Sequence, residues 1–199
     1  MDGALPLWLK LAYSLVCVVI FPIWLRSYGP RNFLWFSDIA LFTTAAALWL
    51  ESPLLASMMA LAVVLPETGW AVSFFGRLFF GLRFSDIADY MFDADKPLYV
   101  RALSLFFHVA MPAVLIWILY GLGYDTRALL AQTLLAWIVL PVTYALTTPQ
   151  ENINWVYGLW GGEQKRVPRL VYLIAFMIVV PLAVYLPMHL LFQTVFGRA

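Results

Sequence analysis

Six stretches of this sequence are long and apolar enough to be read as bilayer crossings, and short polar connections separate them. A crossing needs about 20 predominantly apolar residues, and a helix is the single segment that satisfies its own backbone there. The stretches are 5–25, 33–50, 54–80, 98–120, 127–147 and 170–192. Gly29-Pro30, Glu51-Ser52-Pro53 and Gly121-Leu122-Gly123-Tyr124-Asp125 supply three of the breaks. Composition agrees: 64% hydrophobic and 12% charged residues, against roughly 45–50% and 25% in a soluble domain. The expected fold class is all-α, a polytopic membrane protein built as a bundle of six transmembrane helices. One transmembrane domain, 1–199, accounts for the whole length.

Two segments depart from a plain crossing. Residues 54–80 are too many for one straight span, so this helix is expected to tilt, to kink at Pro66, or to emerge along the interface. In 84–96, Phe84, Ile87, Ala88, Met91 and Phe92 share one helical face, and Asp86, Asp89 and Asp93 share the other. That pattern predicts one interfacial amphipathic helix lying on the membrane with a solvated acidic face. Asp93-Ala94-Asp95 opens like a calcium loop, but no Gly or distal Glu follows at the required spacing.

Basic residues set the orientation. Arg26, Arg31, Arg77, Arg83, Lys96, Arg101, Lys165, Arg166 and Arg169 fall on one side, and Lys10, Arg127 and Arg198 on the other. The positive-inside rule makes the first side cytoplasmic and puts both termini outside. The first span ends in Ile23-Trp24-Leu25-Arg26 without a small-residue cleavage site, so it reads as an uncleaved helix rather than a signal peptide. A net charge of +1 gives no reason to expect nucleic acid. The single Cys17 lies in an apolar run, which excludes an internal disulfide and reads better as a small filler than as a nucleophile.

Polar groups at depth carry the functional signal, because ionisable residues inside a span are costly. Ser37, Ala40, Thr44, Ala47 and Glu51 share one helical side, with Asp38 next to Ser37. Ser37 and Asp38 lie roughly 6–8 Å below the cytoplasmic surface and His108 roughly 15 Å. Arg101 and Ser104 precede His108 at i−7 and i−4, and Glu67 sits near the middle of its span. Asn152, Asn154 and Trp155 follow the cytoplasmic end of the fifth span. A carboxylate, an imidazole and a hydroxyl in one cavity suit general-base activation of a nucleophile. The plainer account makes Ser37 and Thr143 interhelical glue, worth about 0.6–2 kcal/mol each, and His108 a structural histidine. Two carboxylates with one His lack a metal-site spacing, so no metal and no cofactor is expected.

Three of these features resemble the six-span membrane acyl enzymes that include the androgen-induced hydrolases of fatty-acid esters of hydroxy fatty acids. They are Phe33-Leu34-Trp35-Phe36-Ser37-Asp38, His108-Val109-Ala110-Met111-Pro112, and Trp155-Val156-Tyr157, where Gly158 replaces the hydrolases' Pro. YwaF-like bacterial membrane proteins and the transmembrane ether-phospholipid acyltransferase are similar at a greater distance. The resemblance implies a nucleophile at the start of the second span. The hydrolases' Thr falls at or next to Trp35, which cannot do that chemistry, and the acyltransferase's Cys falls near Ser37, which can.

The expected function is an intramembrane hydrolase or acyltransferase of a lipid ester. Ser37 is the nucleophile and His108 the base, and Asp38 or Glu67 orients the imidazole. Asn152 or Asn154 donates to the oxyanion, and Trp155 and Arg101 complete the substrate site. The partner expected is a membrane lipid, and the location a bacterial inner membrane. The competing reading is a non-catalytic lipid-binding or scaffold protein. A small transporter is disfavoured, since no inverted repeat is visible.

Overall fold

The computed structural model describes residues 5–159 and 162–197, and among them every regular element is helical. The helices are α1 (Leu7–Ser27), α2 (Phe36–Leu50), α3 (Pro53–Phe80), α4 (Leu98–Leu122), α5 (Ala128–Leu146) and α6 (Arg169–Phe196). All but α2 are long and apolar enough to cross a membrane. This is a helical membrane bundle.

The second expected span is shorter than its apolar run. Residues at its start belong to a 3-10 turn, Pro30–Leu34, and α2 keeps 15 residues. That is about 22 Å of rise against a hydrocarbon core of about 30 Å. Contacts with α1 nevertheless carry the chain back through the same depth. Phe33 stacks on Phe21 at 5.1 Å, Trp49 Nε1 donates to Ser14 Oγ at 2.8 Å, and Lys10 Nζ reaches Glu51 at 2.7 Å. The two elements therefore run antiparallel, with 30–51 returning to the level where α1 begins.

α3 is the central helix, packed against α2, α4 and α5. Its start is well specified: Ser52 Oγ accepts from Leu55 N, and Pro53 occupies the first helical position. It continues without interruption through Pro66 for 28 residues, and its last residues Phe79 and Phe80 are exposed. α6 bends the rules more visibly. Pro181 has no N–H for the Met177 carbonyl, and Trp137 Nε1 from α5 donates to that oxygen at 2.9 Å. The helix passes through a π-helical turn at Pro181–Tyr185, which brings Tyr185 to full burial.

The connections gather at two ends. At one end Leu5 N donates to Glu51, Asp125 N to Ser57 Oγ, and Tyr124 N to the Phe196 carbonyl. At the other, Arg31 meets Glu151 at 3.2 Å and Lys96 lies over Tyr28. The described chain thus begins and finishes at the first end, while the three connections read as basic share the second. Arg198, counted with the sparse side, lies outside the described residues.

The segment 84–96 is not the interfacial amphipathic helix that its periodicity predicts. Residues 81–97 form a folded connector with a single 3-10 turn, Asp89–Phe92. Two forces outweigh the helical pattern. Arg77 and Arg83 both grip the Asp89 carboxylate, so that the acidic face is partly neutralised rather than solvated. Ala88 and Met91 bury themselves against Trp70 and Phe74 in a small satellite core, separate from the main one. The ring of Phe84 lies where a side chain at Gly76 would project.

Candidate functional site

A cavity of about 750 Å³ lies in the half of the bundle beneath the 81–97 connector, and all six helices contribute to its wall. Most of the wall is apolar or aromatic, and the polar groups converge from α2, α3 and α4. His108 Nδ1 and Glu67 Oε2 are 2.5 Å apart, joining α4 to α3. The indole of Trp70 stacks on the imidazole at 4.3 Å, and Phe107 meets it edge-on at 4.6 Å. Glu67 is 5% exposed. With Nδ1 occupied by the carboxylate, the ring is held from behind by a charge and from one face by Trp70. Its Nε2 stays uncommitted among the described residues.

Asp38 sits in the first turn of α2, where the helix dipole favours an anion. Its Oδ2 accepts from Asn32 Nδ2 at 2.8 Å, while Oδ1 is buried without a hydrogen-bond partner. Asp38 and Glu67 were alternatives for orienting the imidazole, and the contact is made by Glu67. Ser37 is half-buried in the same wall as His108, and its hydroxyl makes no hydrogen bond among the described residues. No hydrogen bond joins Ser37 to His108.

The two asparagines have structural occupations. Asn154 Oδ1 accepts from Phe36 N at 2.9 Å, and its Nδ2 donates to Leu34 O at 2.7 Å. It thereby supplies the start of α2 with the cap that Trp35 does not provide. Asn152 lies outside the cavity wall, its amide bonded to Gly158 O and Tyr157 N within its own loop. Both hold positive φ, 41° and 52°, which Asn tolerates better than most residues. Trp155 lines the cavity with φ 57°, a strained conformation for so large a side chain. Arg101 is not in the wall; it braces the connector through the Met91 carbonyl at 3.3 Å.

Tyr28, Trp70 and Tyr90 join the wall in addition to the polar groups expected at depth. Tyr90 OH and Ser104 Oγ are 2.6 Å apart, and burial raises the Tyr90 hydroxyl above its usual range. Burial and then the charge of Asp38 raise Tyr28 as well. Trp70 had a readable signal, lying one turn beyond Glu67 on the same face. Tyr90 had none, because its place depends on how the connector folds.

A second, smaller groove of about 300 Å³ adjoins the first. Glu67 and His108 line both, so that the pair forms part of the partition between them. Among the described residues no three His, Cys, Asp or Glu side chains converge as metal ligands would.

Fold and site together define a class: a helical membrane protein with a largely apolar internal cavity and a carboxylate–imidazole pair in its wall. No family model, curated protein or solved structure matches the chain.

Proposed function

We propose that the protein is an intramembrane hydrolase or acyltransferase acting on a lipid ester, with His108 as base and Ser37 as nucleophile. The observation that carries this reading is the 2.5 Å contact between Glu67 Oε2 and His108 Nδ1. A carboxylate on Nδ1 fixes the tautomer that leaves Nε2 free to accept a proton, and it stabilises the imidazolium that results. In the first step the proton of Ser37 Oγ passes to His108 Nε2 as the Oγ–acyl bond forms. The same proton then leaves with the departing alkoxide. His108 Nε2 next takes a proton from water or a second hydroxyl as its oxygen attacks the acyl carbon, and gives it to Ser37 Oγ as the acyl–Oγ bond breaks. The cavity's size and mostly apolar wall suit an amphiphile. The short likenesses at 33–38, 108–112 and 155–157 to six-span acyl enzymes support the same chemistry. Asn152 and Asn154 are already bonded within the fold and are left out of it. The cavity end is assigned to the cytoplasm by its basic residues, with both termini outside in a bacterial inner membrane.

A serine-reactive fluorophosphonate probe tests the assignment. Labelling of the wild type, and of neither Ser37→Ala nor His108→Ala when both remain folded, is the expected result. If the folded wild type is not labelled and turns over no acyl ester, a lipid-binding protein without catalysis takes its place.

A further inference from the structure

Asp38 is a buried carboxylate to which the proposed mechanism gives no task. At 2% exposure it keeps one oxygen without a hydrogen-bond partner, although it belongs to the cavity wall. A carboxylate desolvated in this way is costly unless it takes up a proton or a cation approaches it, and a cation in the cavity would favour the charged form. The wall supplies none: it contains three carboxylates, from Asp38, Glu67 and Asp86, and no Lys or Arg. Glu67 is engaged with His108 and Asp86 lies at an exposed position on the connector. Asp38 is the buried wall carboxylate that makes no ion pair among the described residues.

Its surroundings are aromatic. Trp35, three residues before it at the N-cap of α2, and Tyr28 line the same cavity. Trp24 meets Tyr28 edge-on at 5.7 Å and also lines the cavity. Aromatic faces attract ammonium groups, and the attraction grows when water is excluded. Tyr28 already shows the behaviour, for Lys96 Nζ stands 5.3 Å from its ring centroid. A divalent metal ion asks for several converging carboxylates or imidazoles, and among the described residues no three His, Cys, Asp or Glu side chains converge. An organic ammonium asks for aromatic faces and one carboxylate, and both are present.

We propose that Asp38, with Tyr28, Trp35 and Trp24, forms a binding site for an organic ammonium group, carried on a lipid headgroup or as a free amine. The site takes the cavity to be the substrate's, as the proposed function does, but binding does not depend on catalysis. A free fatty carboxylate is disfavoured here, since it would add a third negative charge beside Asp38 and Glu67.

The test is a tryptophan-fluorescence titration of the purified full chain in neutral detergent. Three probes are compared at equal ionic strength: tetramethylammonium chloride, dihexanoyl-phosphatidylcholine and dihexanoyl-phosphatidylglycerol, with potassium chloride as the blank. Saturable change is expected with the choline lipid and not with the glycerol lipid. A response to tetramethylammonium as well identifies a site that accepts the free cation; its absence identifies a headgroup site. Asp38→Asn should weaken binding about tenfold or more, and Trp35→Leu, which leaves the carboxylate in place, should weaken it too. The same titrations in the Ser37→Ala background exclude turnover of the ester probes, so a preference for the choline lipid that persists there separates this inference from the catalytic one. Equal binding of both lipids, no saturable binding, or unchanged affinity in both folded variants overturns it.

Discussion

Glu67 and His108 sit on neighbouring helices, 2.5 Å apart through Oε2 and Nδ1, in the partition between the large cavity and the smaller α3–α4 groove. The consequence is testable without disturbing shape. Glu67→Gln keeps a hydrogen-bonding oxygen near Nδ1 but removes the charge that stabilises an imidazolium. Turnover of a lipid ester should fall about 10²–10⁴-fold, the range set by a general base and its orienting group. Retention of full activity would mean that the pair is structural.

Asn154 should matter for stability in a way that is independent of chemistry. Its amide satisfies Phe36 N and Leu34 O at the entrance to α2, and Thr143 Oγ1 lies 3.4 Å from its nitrogen. Asn154→Ala leaves those backbone groups without that partner, at a cost of about 1–3 kcal/mol. The φ of 52° adds strain that Asn tolerates better than Ala. Thermal unfolding in detergent measures the loss; an unchanged midpoint would return Asn154 to the list of available donors.

The bundle was legible because hydropathy acts over whole spans. α1, α4 and α5 fall within a few residues of the runs 5–25, 98–120 and 127–147. Ser37, Asp38, Glu67 and His108 were legible for the converse reason, as polar groups where solvation is dear, and all four do reach one wall. What could not be read depends on long-range contacts. The start of α2 is trimmed by an asparagine 118 residues away. The connector 81–97 has a helical pattern, but Arg77 and Arg83 converge on Asp89 and hold it in another shape. The π turn of α6 needs Trp137 from another helix to cover the carbonyl that Pro181 leaves open.

Glu151 gives a pH signature outside the bundle. Hydrogen bonds from the Thr148 hydroxyl and backbone, and then Arg31, hold its carboxyl below the ordinary value of 4.5. A folded-state value below the unfolded one means a stabilisation that is full above the unfolded value. It disappears as pH falls through the folded one. The difference in melting temperature between wild type and Glu151→Gln should therefore be constant near neutrality and shrink below about pH 4. Since the side chain is exposed, the difference should also be small and reduced by salt. A gap that widens in acid would contradict the assignment.

Sidedness can be read with cysteines at exposed connections. Ser27→Cys and Lys165→Cys lie at the basic end and Thr126→Cys at the other. Cys17 is buried and should stay silent. An impermeant maleimide added to intact cells should label position 126 alone. Labelling at 27 and 165 instead would turn the cavity to the outside and reverse the proposed orientation.

The connector 81–97 should unfold locally before the bundle does. Ala88 and Met91 belong to a satellite core with Trp70 and Phe74, while the main core spans α1 to α6 without them. Met91→Ser removes apolar packing from that small core and places a hydroxyl where the surroundings are mainly aromatic. Segments with few buried contacts open at lower free energy than the elements they join. Limited proteolysis should therefore cut Met91→Ser within 81–97 faster than the wild type, with the melting temperature of the bundle nearly unchanged. Because Asp86, Ile87 and Tyr90 are part of the cavity wall, the same variant should also loosen ligand binding. If instead Met91→Ser lowers the melting temperature by as much as a substitution at fully buried Leu115, connector and bundle fold as one unit. The satellite core would then be an extension of the main one.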